Sequence, residues 1–321
     1  TVNMYYYMET YPSVSRNFIL NGGAYVEIEP IKNLKIKSQI GTDTRFIFGN
    51  AYSVPSSKLR SGTGAKSKSG QMTSNNTITN TIEYRFDIQN DHQISVLAGH
   101  EGISNWYDYF AASSSGQDED RMLRLQDGKQ STYSISESMS RSKFLSFFGH
   151  ADYSYQGKYN LDATIRNDAS SRFGSNVRNA MFWSVGAKWN ARNENFVKQT
   201  PWLNDFSAKI SYGTQGNASI GDYAHLALIG TTTSYNEGNS WIISQPSNND
   251  LTWEKQSLFS IGVSGRVLNR LDLEFEVYNR NTTSMLMDVP YPYTSGFSSL
   301  TANVGGLNNK GVDITDRKSV V

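Results

Sequence analysis

Apolar and polar residues alternate one for one along most of this chain, in runs that only extended strands can sort. Leu145, Phe147, Gly149, Ala151, Tyr153 and Tyr155 fall on one side, and Ser146, His150, Asp152 and Ser154 on the other, with Phe148 out of pattern. After the turn Gln156-Gly157-Lys158, residues Tyr159, Leu161, Ala163 and Ile165 alternate with Asn160, Asp162, Thr164 and Arg166. Met181, Trp183, Val185, Ala187 and Trp189 oppose Ser184, Gly186, Lys188 and Asn190. Phe206, Ala208, Ile210 and Tyr212 oppose Asp205, Ser207, Lys209 and Ser211, and Leu271, Leu273, Phe275 and Val277 oppose Asp272, Glu274, Glu276 and Arg280. A helix, with a period of 3.6, would smear both sets around its cylinder.

This periodicity predicts about eleven strands, near 18–29, 34–46, 77–87, 92–104, 142–155, 159–169, 179–190, 205–216, 252–266, 271–284 and 304–314. Residues 1–11 are a candidate for one more. Abundant Tyr (19), Phe (15) and Gly (26) with scarce Pro (7) favour strands over helices.

The connections between these strands alternate in length. Those at 30–33, 88–91, 156–158 and 267–270 are short, those at 47–76, 105–141, 217–251 and 285–303 long, and those at 170–178 and 191–204 intermediate. A soluble sandwich has no reason to put every long loop at one end of its hairpins, whereas an outer-membrane barrel has short periplasmic turns and long extracellular loops. Ser53 to Asn76 is rich in Ser, Gly and Lys and reads as such a loop.

Strand length points the same way. Runs of about 10–14 residues cross a bilayer at a tilt, while strands of globular proteins average about 5–6. The expected fold class is therefore all-β: an antiparallel transmembrane β-barrel, present as about eleven meandering strands in an open or curved sheet. Mean hydropathy of −0.52 and the lack of any apolar run near 20 residues exclude a membrane helix but not barrel strands, which leave little hydropathy signal. A soluble, secreted β-rich binding or adhesion protein and a passive porin are the alternatives. They are separated by whether the Leu/Trp/Val face of each strand meets lipid, and by whether a plug accompanies the barrel.

Charge excludes other classes. Thirty Lys and Arg against 29 Asp and Glu offer no basic excess for nucleic acid. With no cysteine, disulfides and thiolate chemistry are excluded. The four histidines (His92, His100, His150, His225) are scattered without metal-ligand spacing, and no cofactor is expected. Ser140-Arg-Ser-Lys143 has the S-x-x-K spacing of penicillin-recognising enzymes, but that motif needs a helix and here enters a strand. Gly62-Thr-Gly64-Ala-Lys66-Ser67 lacks the Gly-Lys pair of a phosphate loop, and Asp118-Glu119-Asp120 lacks EF-hand spacing.

Aromatic residues are the candidate binding groups. Trp106, Tyr107, Tyr109 and Phe110 open the expected 105–141 loop, and Tyr235 and Trp241 lie in the expected 217–251 loop. Such rings stack on sugars or grip a peptide; equally, they form the interfacial girdle where strands meet headgroups. Trp189 and Tyr159, beside short turns, fit an inner girdle.

Several segments, in order, carry a resemblance. They are Tyr153-Ser-Tyr155-Gln-Gly-Lys158-Tyr159 leading into Arg166-Asn-Asp168-Ala-Ser-Ser171-Arg172-Phe173-Gly174, then Trp202-Leu-Asn204 with Ser211-Tyr212-Gly213-Thr-Gln-Gly216-Asn217. Leu251-Thr-Trp253-Glu254-Lys255, Tyr278-Asn-Arg280-Asn-Thr282, Val289-Pro290, Thr294-Ser295-Gly296-Phe297, Asn303-Val-Gly305 and Asn308-Asn309-Lys310-Gly311-Val312-Asp313-Ile314 follow. Together these resemble the SusC/RagA family of TonB-dependent outer-membrane transporters over most of residues 18–314, with Ala169 where the family usually has Gly.

The resemblance implies that residues 1–321 are barrel region of a transporter whose plug, signal peptide and C-terminal strands lie outside this chain, and that the last few residues are not native continuation. It implies import of an oligosaccharide or peptide rather than enzymatic chemistry. It also implies a SusD-like surface lipoprotein as lid, the TonB complex as energy source acting through the plug, and outer-membrane lipid as surroundings.

Overall fold

The computed structural model describes residues 3–57, 63–89, 91–233 and 239–318. Eleven long strands carry the architecture. They are β1 (Ser13–Ile31), β2 (Leu34–Ser53), β3 (Gly64–Ile88), β4 (His92–Gln117), β5 (Ser134–Tyr155), β6 (Tyr159–Ser170), β7 (Asn179–Asn190) and β8 (Leu203–Asn217). After the short β9 (Leu228–Thr233) and β10 (Asn239–Gln245) come β11 (Glu254–Val267) and β12 (Leu271–Thr283). The short β13 (Leu286–Pro290) and β14 (Ser299–Asn303) then precede β15 (Gly306–Lys318). The main sheet runs β1-β2-β3-β4-β5-β6-β7-β8-β11-β12-β15, and β9–β10 and β13–β14 are separate two-stranded hairpins. All eleven expected strands are present, each beside its neighbour in sequence once the two hairpins are set aside.

Two expectations need correcting. Of the candidate strand at residues 1–11, the described residues 3–11 hold none: α1 (Met4–Thr10) forms there, capped by the Asn3 side chain, which accepts from Tyr5 N at 3.0 Å. The loops expected at 47–76 and 105–141 are mostly strand, since β2 reaches Ser53, β3 starts at Gly64, β4 reaches Gln117 and β5 starts at Ser134. Ser, Thr and Asn there look like turn composition, but pairing with a long neighbour satisfies their backbone groups and overrides the local preference.

The short turns follow from local backbone chemistry. Tyr155 and Tyr159 pair across the β5–β6 turn, where Gln156 (φ 51) and Gly157 (φ 64) take left-handed conformations and Lys158 N donates to Tyr155 O at 2.8 Å. That is a type I′ geometry, whose twist matches the flanking strands. Leu268 (φ 54) and Asn269 (φ 55) do the same between β11 and β12.

The chain divides into two compact units. One holds Thr1–Ala24, Gln39–Ile78 and Ile103–Ser142; the other holds Tyr25–Ser38, Thr79–Gly102 and Lys143–Val321.

In the second unit the register aligns the faces from strand to strand. Leu161 pairs with Ala187, then Ile210, Ile261, Val277 and Val312 follow in one row across β6, β7, β8, β11, β12 and β15. One residue away, Asn160, Lys188, Lys209, Gly262, Glu276 and Asp313 form the row on the opposite face. The apolar row is not buried: Leu161 is 50% exposed, Ile165 51%, Val185 47%, Ile210 45%, and Leu273 and Phe275 43% each. A band of exposed Leu, Ile, Val, Trp and Phe spanning this many strands far exceeds the apolar patches that water-soluble monomers tolerate. It is what a lipid-facing surface requires.

At the turn end of the same unit, rings gather. His92 lies 4.8 Å from Tyr155, Tyr155 stacks on Tyr159 at 6.4 Å, and Trp189 meets Phe206 edge-on at 6.3 Å. Tyr159 and Trp189 both belong to this group of rings beside the short turns. Beside them, Glu194, in the turn preceding α2 (Asn195–Lys198), accepts from Lys158 Nζ at 3.1 Å and from Tyr159 Oη at 2.9 Å.

Candidate functional site

The polar face of the second unit is a ladder of paired charges. Arg166 donates to Glu101 at 2.9 Å, to Asp168 at 2.6 Å and to Ser146 Oγ at 2.9 Å, while its guanidinium lies 5.4 Å from the centre of the Phe148 ring. Phe148, the residue out of pattern in β5, therefore sits on the polar face beneath Arg166, over Gly99, where a Cβ would come within 2.7 Å of the ring. Lys209 bridges Glu276 at 2.7 Å and Glu274 at 3.1 Å. His150 pairs with Asp152 at 2.8 Å and with Thr164 Oγ1 at 2.8 Å, and Gln256 links Gln215 at 2.5 Å to Thr282 at 3.2 Å. These groups are saturated by one another and partly exposed, an arrangement suited to a hydrated surface.

Above this wall, the loops close over a buried core. Phe173 and Leu251 are fully buried and Trp253 is 4% exposed, in a cluster with Ala180, Phe182 and Ala224. Trp253 stands 5.1 Å from Phe173 and 5.7 Å from Phe182, and its indole N–H donates to Arg178 O at 2.9 Å. Arg172 donates to Asp222 at 2.8 Å and to Ala218 O at 2.9 Å, fastening the loop after β8. Asn303 exchanges two hydrogen bonds with Thr252, receiving from its N–H at 2.8 Å and donating to its carbonyl at 2.7 Å. Glu254 accepts from Leu286 N at 3.1 Å. The segments around Arg172-Phe173, Leu251-Trp253-Glu254 and Asn303, far apart in sequence, converge here as the frame that holds the loops.

That frame presents the two hairpins. On β10, Trp241 is 74% exposed, beside exposed Ile242 and Ile243, with Ile229 exposed on β9. In the β13–β14 hairpin, Tyr293 is 90% exposed. Asn248 Nδ2 donates to Thr301 O at 2.9 Å, and a cleft of about 400 Å³ is lined by Ile243, Gln245, Asp288, Phe297 and Leu300 among others. Trp241 is among the residues expected from sequence, whereas Tyr291 and Tyr293 of the β13–β14 hairpin are not, although Val289-Pro290-Tyr291-Pro292-Tyr293 carries a visible signal.

The remaining candidates fall otherwise than expected. Trp106, Tyr107, Tyr109 and Phe110 are on strand β4, not in a loop, because pairing continues to Gln117. Alternation sends Trp106 and Phe110 to one face and Tyr107 and Tyr109 to the other. Arg141 covers the Trp106 ring at 4.7 Å. In the first unit, Phe110 lines a pocket with Phe48, Lys66, Lys68 and Arg124. Tyr235 lies outside the described residues. Asp120, of the acidic run, accepts from Ser56 N at 2.9 Å and from Ser56 Oγ, bonds that hold its carboxyl below the usual range.

The family model for the TonB dependent receptor-like β-barrel matches residues 6–317. A TonB-dependent receptor of Formosa agariphila is 29% identical over 238 residues, 74% of this chain and 23% of the relative. The TonB-dependent receptor SusC of Bacteroides thetaiotaomicron is 32% identical over 184 residues, 54% of this chain and 18% of that protein. The chain thus spans about a quarter or less of the curated relatives it matches. The solved RagAB peptide transporter superposes with a TM-score of 0.94 at 36% identity, over 98% of this chain and 36% of its own.

Proposed function

The chain belongs to the TonB-dependent receptor-like β-barrel family of the bacterial outer membrane, and from that premise we propose that it forms part of an active importer of oligosaccharides or peptides. The observation that carries the proposal is the pairing of two faces in register: an exposed apolar band for lipid and an ion-paired polar wall for hydrated cargo. Peptide is the favoured cargo, because the likeness to the RagAB peptide transporter extends over 98% of the chain at 36% identity.

In this reading no covalent bond is broken. Exposed Trp241 and Tyr293 offer rings at the loop ends for first capture. Tyr107 and Tyr109, on the face of β4 that carries Glu101, lie on the cargo's path, while Trp106 and Phe110, on the apolar face, belong with the outer girdle. A SusD-like surface lipoprotein closes over the cargo, and the TonB complex supplies the energy.

The test is uptake in cells expressing the full-length transporter. Labelled peptides of defined length should enter, and removal of TonB should stop them. Uptake that persists without TonB would mark a passive pore and overturn the proposal; entry of labelled oligosaccharides alone would reassign the cargo.

A further inference from the structure

The cleft beside the two loop hairpins is bounded by strand edges, not strand faces. A face contributes alternate residues, whereas consecutive residues line this space: 242–246 on one side, from β10, and 296–301 on the other, running into β14. Among the described residues β10 pairs only with β9 and β14 only with β13, so each has an edge that no strand covers.

The β14 edge can be read group by group. Tyr291 N donates to Ser298 O at 3.0 Å and Val304 N to Met285 O at 2.8 Å, so in this register the even-numbered positions spend their backbone groups on the β13 side. Ser299 and Thr301 turn theirs the other way. Thr301 O is met there by the Asn248 side-chain N–H at 2.9 Å, in the place of a donor from a neighbouring strand. Ser299 has no such partner among the described residues. On the β10 side the Gln245 amide fixes the strand end, donating to Tyr223 O and Ala224 O at 3.1 Å and to Leu226 O at 2.7 Å.

An extended main chain complements such edges, because a peptide backbone supplies N–H and C=O groups at strand spacing. The side chains qualify it. Ile243, Phe297 and Leu300 offer apolar contact, and Asp288 is the one charged residue in the described lining, its carboxylate held by Thr301 Oγ1 at 2.6 Å. The edge at residues 299–301 spans about three residues, roughly 10 Å of extended chain. So short a contact suits a transient ligand, since a stable protein partner engages about 20–30 residues on each side.

Resting on the reading of this chain as part of a peptide importer, we infer that an extended segment of the cargo, apolar with a lysine or arginine, adds as a strand in the cleft between β10 and β14, hydrogen-bonded to Ser299 and paired by charge with Asp288. Capture of this kind reads the backbone first, so cargo sequences can differ widely, while an oligosaccharide gains nothing from the cleft.

The test uses the full-length transporter in nanodiscs, with the fluorescent hexapeptide Lys-Val-Thr-Val-Thr-Val as probe. Two further arms are the same peptide N-methylated at alternate residues and the peptide with glutamate in place of lysine. The unmethylated peptide should bind about tenfold or more tighter than the methylated one. The lysine peptide should bind severalfold tighter than the glutamate peptide, and Asp288→Asn should erase that preference. Ser299→Pro removes the outward N–H without touching the pairing with β13, and should weaken the probe severalfold. Thermal melting and migration of the unboiled protein show that both variants fold, and the methylated arm needs no variant. Equal binding of the methylated and unmethylated peptides would overturn strand addition while leaving peptide import standing, as would variants that bind like the parent. Failure of the parent to bind any of the peptides would bring down the peptide reading and this site with it. Loss of a co-purifying surface lipoprotein in Ser299→Pro, at unchanged peptide affinity, would assign the cleft to the lid and overturn the cargo site.

Discussion

Lys209 of β8 reaches Glu276 of β12, 2.7 Å away, by passing over the whole width of β11. Gly262 is what lets it pass: a Cβ at that position would come 2.7 Å from Lys209 Cε and 3.2 Å from Phe275 O. One residue without a side chain thus allows a charge to span three strands.

The Lys209–Glu276 pair is nevertheless wet, with the lysine side chain 45% exposed and the glutamate 26%. A double-mutant cycle of Lys209→Met and Glu276→Gln should give a coupling of about 0.2–1 kcal/mol that shrinks in high salt. Gly262→Val should abolish the coupling by displacing Lys209. Urea unfolding in vesicles measures all three; a coupling that ignores salt would show that the face is dry and not a hydrated wall.

The lipid-facing assignment has a sharper consequence at Ile210, in the middle of the apolar row. Ile210→Arg should cost roughly 2–4 kcal/mol on folding into a bilayer, the penalty for arginine near the midplane. Ser211→Arg, one residue along and on the other face, should cost far less. Equal penalties at the two positions would sink the division into lipid and water faces.

Where the sequence was legible, the reason is period two. The expected strands at 159–169 and 179–190 match Tyr159–Ser170 and Asn179–Asn190 almost residue for residue, because each has one face in lipid. The outer ends of β3 and β4 were not legible: Ser, Gly, Asn and Gln crowd residues 67–76 and 113–117 on both faces, so period two no longer reports which residues pair. The helix at Met4–Thr10 was hidden by its three tyrosines, which favour strands, while the Asn3 cap that starts it is a single residue. The motif around Trp253 was recognisable, but its meaning depends on Arg178, 75 positions earlier, and on Asn303, and no local pattern shows that they meet.

Acid should loosen the turn end. Glu194 is held below its ordinary value of 4.5, first by the hydrogen bond from Lys158 and then by that from Tyr159. A carboxylate whose folded pKa is depressed contributes stability that is present above the unfolded value and lost as pH falls through the folded one. Amide exchange in the turn at 156–159 should therefore be slower in the parent than in Glu194→Gln at pH 7, and the difference should vanish below the carboxylate range. A difference that persists at pH 2 would mean that the pairing is not what protects the turn.

Trp253 tests whether the loop frame is separable from the sheet. Phe173 and Leu251 lie in loops and Phe182 in β7 opposite Arg166, so the cavity left by Trp253→Ala opens the frame while the backbone pairing of β6 to β12 stays in place. Truncating a buried Trp costs about 3–5 kcal/mol where the surroundings cannot collapse. Trp253→Phe keeps most of the ring but loses the bond to Arg178 O, at a smaller cost of about 1 kcal/mol. Limited proteolysis of the full-length transporter should then cut Trp253→Ala rapidly within residues 218–253, Trp253→Phe slowly and the parent hardly at all. Migration of the unboiled protein on a gel should stay compact in all three, since the barrel strands remain paired. If Trp253→Ala loses that compact migration, the loop core is part of the barrel's own stability. If its loops resist the protease as the parent's do, Trp253 does not hold them.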